Sequence, residues 1–119
     1  MSEHTEQVAF MQWLRIAYPG ILAFAIPNGG LRNKVVAAKL KAEGVIPGVP
    51  DIFIADGKPG CFIEMKIKPN KLTDSQVEIM FKLDEAGYHT AVCYGWDEAR
   101  KVADYYLKSR HGVDILGTK

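Results

Sequence analysis

Two short apolar runs on either side of a tight turn constrain this chain more than any other feature. The first run follows Pro50-Asp51 and ends at Ala55, and the second begins at Gly60 and carries Glu64-Met65-Lys66. β-Branched and aromatic residues fill both runs, whereas Asp56-Gly57-Lys58-Pro59 separates them. This pattern predicts two antiparallel strands that are joined by a tight loop.

The loop length sets the register of the predicted hairpin. If Ala55 pairs with Gly60, counting back along both strands places Asp51 opposite Glu64. Paired residues share a face of the sheet, and the period of two places Lys66 on that face as well. Like charges opposite each other destabilise a sheet, so the two carboxylates need a compensating cation. One or two carboxylates commonly hold Mg²⁺, which makes a metal site one interpretation; a turn aspartate beside solvated strand residues is the other.

The ordered set Pro50-Asp51, Glu64-x-Lys66 and Gln76 resembles the PD-(D/E)xK nuclease superfamily. The segments 44–51 and 71–76 are similar to its virus-type replication-repair nuclease branch, the VRR-NUC domain, and the resemblance extends from the first helix to about Tyr106. It implies a restriction-endonuclease-like α/β sandwich, in which helices flank a small mixed β-sheet. It also implies a Mg²⁺- or Mn²⁺-dependent endonuclease that hydrolyses phosphodiester bonds in DNA.

The resemblance also implies a role for each site residue. Asp51 and Glu64 are expected to bind the metal, together with the backbone carbonyl of Met65. Lys66 is the expected catalytic lysine, which stabilises developing charge or positions the attacking water. Gln76 is expected to hold Lys66 or the water in place. A structural explanation for Gln76 exists as well, because Thr73 and Gln76 match a capping box at the start of a helix.

An acidic residue on the predicted first helix has two interpretations. The helix is expected to begin near Ser2 or Thr5 and to end at about Tyr18, with a core-facing stripe at Phe10, Trp13, Leu14 and Ala17. Glu6 extends that stripe by one turn. It either interacts with the helix dipole in the first turn or reaches the metal site. The resemblance favours the metal site, with Glu3 as the competing residue.

The remaining pattern completes a single domain of 119 residues. We expect a strand over 21–26, helices over 31–43 and 73–86, a strand over 89–94 and a last helix from Trp96 or Asp97 to about Leu107, followed by a frayed tail after Ser109. The crossover through helix 73–86 predicts a parallel strand pair. That helix is apolar around much of its circumference, so it is expected to be deeply buried or to lie in a subunit interface.

Basic residues flank the carboxylates in the sequence. Phosphates are bound mainly by such side chains. For the basic residues of the predicted helix 31–43, a solvated helix face is an equally good explanation. Asn28 lies in a glycine-rich turn that resembles a family loop. The candidate DNA-binding residues are Asn28, Arg32, Lys34, Lys39 and Lys41, followed by Lys58, Lys66, Lys68 and Lys71 around the proposed site.

The composition does not by itself indicate a protein that binds nucleic acid. The net charge is only +1, so any electrostatic attraction to DNA must come from local charge. Cys61 and Cys93 lie in apolar runs and are expected to be buried free thiols. No secretion signal, membrane span or organic cofactor is expected, and we predict a cytoplasmic protein of a bacterial or phage-infected cell.

The resemblance also implies a substrate and an assembly. Standalone members of this branch resemble homodimers that cleave branched DNA such as four-way (Holliday) junctions. The alternatives are a nuclease of the same fold that cuts flap or duplex DNA, and an inactive module that binds DNA or protein.

Overall fold

The computed structural model describes residues 1–27 and 34–115, with side chains up to residue 109. Within these ranges, helices and strands follow the predicted order: α1 (Glu3–Ala17), β1 (Ala23–Ala25), α2 (Lys34–Ala42), β2 (Ile52–Ile54), β3 (Cys61–Lys66), α3 (Asp74–Glu85), β4 (His89–Tyr94) and α4 (Trp96–Ile115). The last helix was expected to end near Leu107. Instead its backbone continues past Ser109 to Ile115, so the predicted frayed tail is wrong over this stretch.

The sheet is small and mixed, as predicted. Its strands lie in the order β1-β2-β3-β4, with the first two pairs antiparallel and the last pair parallel. Ile52 pairs with Ile63, and Ile54 pairs with Cys61. Extending this register by one residue sets Asp51 opposite Glu64, which is the pairing that the loop length predicted.

One face of the sheet carries the hydrophobic core, against which α1 and α4 pack. Alternating residues of β2 and β3, such as Ile52, Ile54 and Ile63, are fully buried there. From α1, Phe10 and Leu14 enter the core as predicted, whereas Trp13 is only partly buried and Ala17 is exposed. Both cysteines are buried free thiols, which confirms the prediction for them.

Helices α2 and α3 contribute no buried residues. In α3, which contacts β4, no residue is buried, so deep burial, the first of the two alternatives for this helix, is wrong. Helix α2 also has no buried residue and packs against none of the other described helices and strands. Among the described residues, no helix combines the length and the apolar character that a membrane span requires.

The β2–β3 turn is held by a side chain from the far end of the sequence. Tyr106 is only 1% exposed, and its hydroxyl accepts a hydrogen bond of 2.7 Å from the backbone N–H of Gly60. The same hydroxyl lies 3.3 Å from the carbonyl oxygen of Asp56, to which it donates. Tyr106 therefore joins both ends of the turn to α4 and stabilises the hairpin register.

We predict that Tyr106→Phe lowers the free energy of unfolding by about 1–3 kcal/mol, because it leaves the buried N–H of Gly60 without this acceptor. Chemical denaturation monitored by circular dichroism measures the change. Tyr105→Phe is the matched control, since Tyr105 is 70% exposed and the same substitution there should change stability by less than about 0.5 kcal/mol. Equal stability of the two variants would contradict this role for the Tyr106 hydroxyl.

Candidate functional site

Asp51 lies at the end of the hairpin, immediately before β2. It follows Pro50, which is fully buried, and its carboxylate oxygen Oδ2 accepts a hydrogen bond of 2.8 Å from the backbone N–H of Met65. This bond joins the start of one strand to the end of the next. The Asp51 carboxylate is therefore anchored against β3 beside Glu64 and does not extend into solvent as a simple turn residue would.

Glu64 and Lys66 are the two buried charged residues of the described chain. Glu64 is 3% exposed and Lys66 is 7% exposed, and the Lys66 Nζ lies 3.8 Å from the Glu64 Oε2. Both face away from the core, because they alternate with the buried core residues Ile63 and Met65. The structure thus brings Asp51, Glu64 and Lys66 together on one face of the sheet.

Burial makes the acid pair electrostatically unfavourable. It raises the pKa of Glu64 to about 8, and the negative charge of Asp51 adds to this shift while Lys66 opposes it. Burial also raises the pKa of Asp51, which the hydrogen bond from Met65 partly offsets. A protonated Glu64 can donate to the Asp51 carboxylate, so a single shared proton relieves the repulsion between the two acids. A cation in place of that proton would relieve the same repulsion.

Gln76 caps α3 and also contacts the acid pair. Its backbone N–H donates to the Thr73 hydroxyl oxygen, and its side-chain oxygen accepts from the Thr73 backbone N–H, which completes the capping box of α3. Its side-chain Nε2 also donates to the Glu64 Oε2, at 3.2 Å. The amide therefore contacts Glu64 rather than Lys66, and it fixes the carboxylate that Lys66 also faces.

Gly48 is a positioning residue that the sequence patterns did not single out. Its φ angle is +92°, and a Cβ atom there would overlap the backbone carbonyl of Ser75 and lie 2.9 Å from the backbone nitrogen of Gln76. Glycine therefore allows the segment before Asp51 to pack against the first turn of α3. The only sequence signal for this is its place in Gly48-Val49-Pro50-Asp51.

The expected role of Glu6 needs correction. Its Oε1 accepts a hydrogen bond of 2.9 Å from the backbone N–H of Trp96, so it caps the beginning of α4. Glu3 is instead the residue of α1 whose charge acts on both Asp51 and Glu64. Its carboxylate also contacts the Asn70 amide at 3.5 Å. The geometry thus favours Glu3, the competing residue, as the acidic neighbour of the site.

The donors of the site suit a hard divalent cation. Two carboxylates converge there, and the carbonyl of Met65 points to the same strand edge as its N–H, which binds Asp51. The next carbonyl, that of Lys66, points the other way and accepts from Gly95. Within residues 1–27 and 34–109, no group of three or more His, Cys, Asp or Glu side chains could hold a metal. A pair of carboxylates suits Mg²⁺, because this ion keeps several water molecules and substrate oxygens among its ligands.

The candidate DNA-binding residues fall into separate places. Lys34, Lys39 and Lys41 are exposed on α2, and Lys68 and Lys71 are exposed in the loop that follows β3. Lys58 was expected to surround the site, but it lies in the β2–β3 turn at the opposite end of the hairpin from Asp51, so that expectation is wrong. Asn28 and Arg32 lie outside the described residues.

Comparisons with known proteins agree on one family. A family model described as the VRR-NUC domain matches residues 1–97. A solved structure titled "VRR_NUC domain protein" superposes with a TM-score of 0.76 and is 26% identical, and the match covers 91% of this chain and 89% of the other. No curated protein matches this sequence.

We predict that, without divalent metal, stability falls as the pH rises from about 4.5 towards 8. The folded state retains the Glu64 proton, because the pKa is raised from 4.5 to about 8, whereas the unfolded chain loses it. The loss should be about 1 kcal/mol per pH unit or less. Thermal unfolding in EDTA between pH 5 and 8 measures it.

The control for this pH dependence is a second glutamate. Glu64→Gln should remove the fall, whereas Glu78→Gln, at a carboxylate that is 64% exposed, should keep it. Mg²⁺ should raise the melting temperature more at pH 8 than at pH 5, because it replaces the proton on the pair. Identical pH profiles of the wild-type protein and Glu64→Gln would contradict the shifted pKa.

Proposed function

Because the chain belongs to the VRR-NUC family of nuclease domains, we propose that it is a metal-dependent endonuclease that hydrolyses phosphodiester bonds in branched DNA such as four-way junctions. The observation that carries this proposal is the convergence of Asp51, Glu64 and Lys66 on one sheet face, where a buried and a partly buried acid lie beside one buried lysine. A purely structural protein has no physical need for such a destabilising cluster.

Each residue of the site has a distinct task in this proposal. Asp51, Glu64 and the Met65 carbonyl would hold Mg²⁺ or Mn²⁺, which supplies Lewis-acid activation of the phosphate and acidifies water. The Lys66 ammonium, held near Glu64, stabilises negative charge on the phosphate oxygens and orients the attacking water. Gln76 positions Glu64 through the hydrogen bond from its amide. Water adds to phosphorus and one P–O bond breaks.

We expect Asp51→Asn and Lys66→Met each to lower the cleavage rate by about 10²–10³-fold, because each removes charge that acts at the reacting phosphate. Labelled four-way junction, flap and linear duplex DNA are incubated with Mg²⁺, Mn²⁺ or EDTA, and the products are separated on denaturing gels. Lys58→Met is the control, since this exposed lysine lies in the β2–β3 turn at the opposite end of the hairpin from Asp51.

The result expected is faster cleavage of the junction than of duplex, with no cleavage in EDTA. Cleavage that survives EDTA, or that is unchanged in Asp51→Asn, would overturn the metal mechanism. Faster cleavage of flap or duplex DNA would overturn the junction as substrate. Absence of cleavage on every substrate would instead support a binding module of the same fold.

A homodimer is also part of the proposal. Two identical active sites related by a two-fold axis would match the two strands that must be cut in a symmetric junction. The support from the chain itself is α3, which has no buried residue and exposes Val77 and Phe81 by 52% and 63%. Large apolar side chains that share a helix face in this way are typical of an interface core. We propose that α3 contacts α3 of a second copy.

We expect light scattering to give a dimer for the wild-type protein and a monomer for Phe81→Glu, because the substitution would bury a charge in the interface. Ile16→Glu is the matched control: Ile16 is 80% exposed on α1, and the same substitution there should leave the dimer intact. A 13.2 kDa monomer of the wild-type protein, with and without DNA, would rule out the dimer.

A further inference from the structure

A groove between α1 and β1 is not used by the mechanism described above. It encloses about 360 Å³, and four polar side chains of α1, those of His4, Gln7, Gln12 and Arg15, line it above an apolar floor. These residues recur at intervals of three to five along the helix, so they form one stripe on its surface. The exposed residue Ala25 of β1 forms the opposite wall.

One end of the groove lies close to the acid pair. On the α1 side, His4 follows Glu3, whose charge acts on Asp51 and Glu64. On the β1 side, Ala25 precedes Ile26, whose backbone N–H donates a hydrogen bond of 2.7 Å to the carbonyl of Asp51. Ala25 pairs with Ile52 and therefore faces α1, whereas the acids face the other side of the sheet. A chain molecule that is bound at the acid pair would enter the groove round the end of β1 and β2.

The chemistry of the lining suits an anionic polymer. An imidazole, two carboxamides and a guanidinium offer hydrogen-bond donors, and no carboxylate is among the residues that line the groove. None of these four side chains forms a hydrogen bond or ion pair with another described residue, so their donors are available to a ligand. By contrast, the groove beside Trp96 is lined by three acids, Glu6, Asp97 and Glu98, as well as by Lys68 and Lys101, so its charge is mixed.

The length of the stripe gives the size of the ligand. From His4 to Arg15 the helix rises by about 16 Å, and one DNA strand advances by about 3.4 Å per nucleotide, so the stripe spans about five nucleotides. We propose that this groove binds the sugar-phosphate backbone of one DNA strand that leads away from the scissile phosphate, with Arg15 at its far end. The proposal rests on the proposed nuclease function, and it identifies a substrate-binding surface for the same site.

The test measures DNA binding separately from cleavage. The Asp51→Asn variant is used throughout, so that the DNA is bound but not cut. Fluorescence anisotropy gives the Kd for a series of junctions in which one strand of one arm is lengthened by one nucleotide at a time. The series is made on either side of the position at which the wild-type protein cuts. For DNA that is not cut, the length is counted from the branch point. Affinity should rise with length on one side only and reach a plateau after about five nucleotides.

Arg15→Gln should raise the Kd by about tenfold for long arms and leave it unchanged for arms of one or two nucleotides, because only long arms reach Arg15. It should also reduce the slope of log Kd against log salt concentration by about one. Lys58→Gln is the matched control, since it removes the same charge from an exposed residue in the remote β2–β3 turn. Thermal unfolding confirms that both variants fold.

The outcomes separate this proposal from the one on which it rests. Equal Kd values of Arg15→Gln and Lys58→Gln at every arm length would overturn the groove. A change of mass in Arg15→Gln by light scattering would also overturn it, because the groove would then be a subunit contact. If binding depends on Arg15 but the wild-type protein cleaves none of the DNA substrates, the groove would be supported and the nuclease function overturned.

Discussion

Mutual repulsion between a buried and a partly buried carboxylate is the interaction around which the candidate site is built. Asp51 and Glu64 are held together on the sheet, and burial raises the pKa of both groups. Lys66, at 3.8 Å from Glu64, offsets this repulsion only in part. The acid pair therefore destabilises the folded chain. Such clusters are typical of functional sites, because a bound ligand can relieve the repulsion.

The rest of the fold supplies rigidity around that cluster. Tyr106 binds the turn of the hairpin from α4, so β2 and β3 cannot shift in register without losing a buried hydrogen bond. At the other end of the hairpin, Gly48 allows close packing against α3, and Gln76 donates to Glu64. Residues from both sides of the sheet therefore hold the two acids, although α3 itself contributes nothing to the core.

Charge is arranged unevenly around the acids, although the net charge of the chain is only +1. The α1 groove carries donors without carboxylates, and exposed lysines lie on α2 and after β3. The groove beside Trp96 instead combines three acids with Lys68 and Lys101. A phosphate backbone responds to this local distribution, because screening limits each charge to a range of about 10 Å.

Local patterns by themselves determined much of this protein. Strand period and loop length placed Asp51, Glu64 and Lys66 on one face, and Thr73 with Gln76 marked the start of α3, since these relations involve short stretches of backbone with known geometry. Tertiary packing alone decided which acid of α1 lies near the site, because the rotation of α1 against the sheet and α4 places Glu3 there and leaves Glu6 to cap α4. It also decided the exposure of α3 and the bond between Tyr106 and Gly60. Those contacts join segments far apart in the chain, and no periodicity within one segment encodes its distant partner.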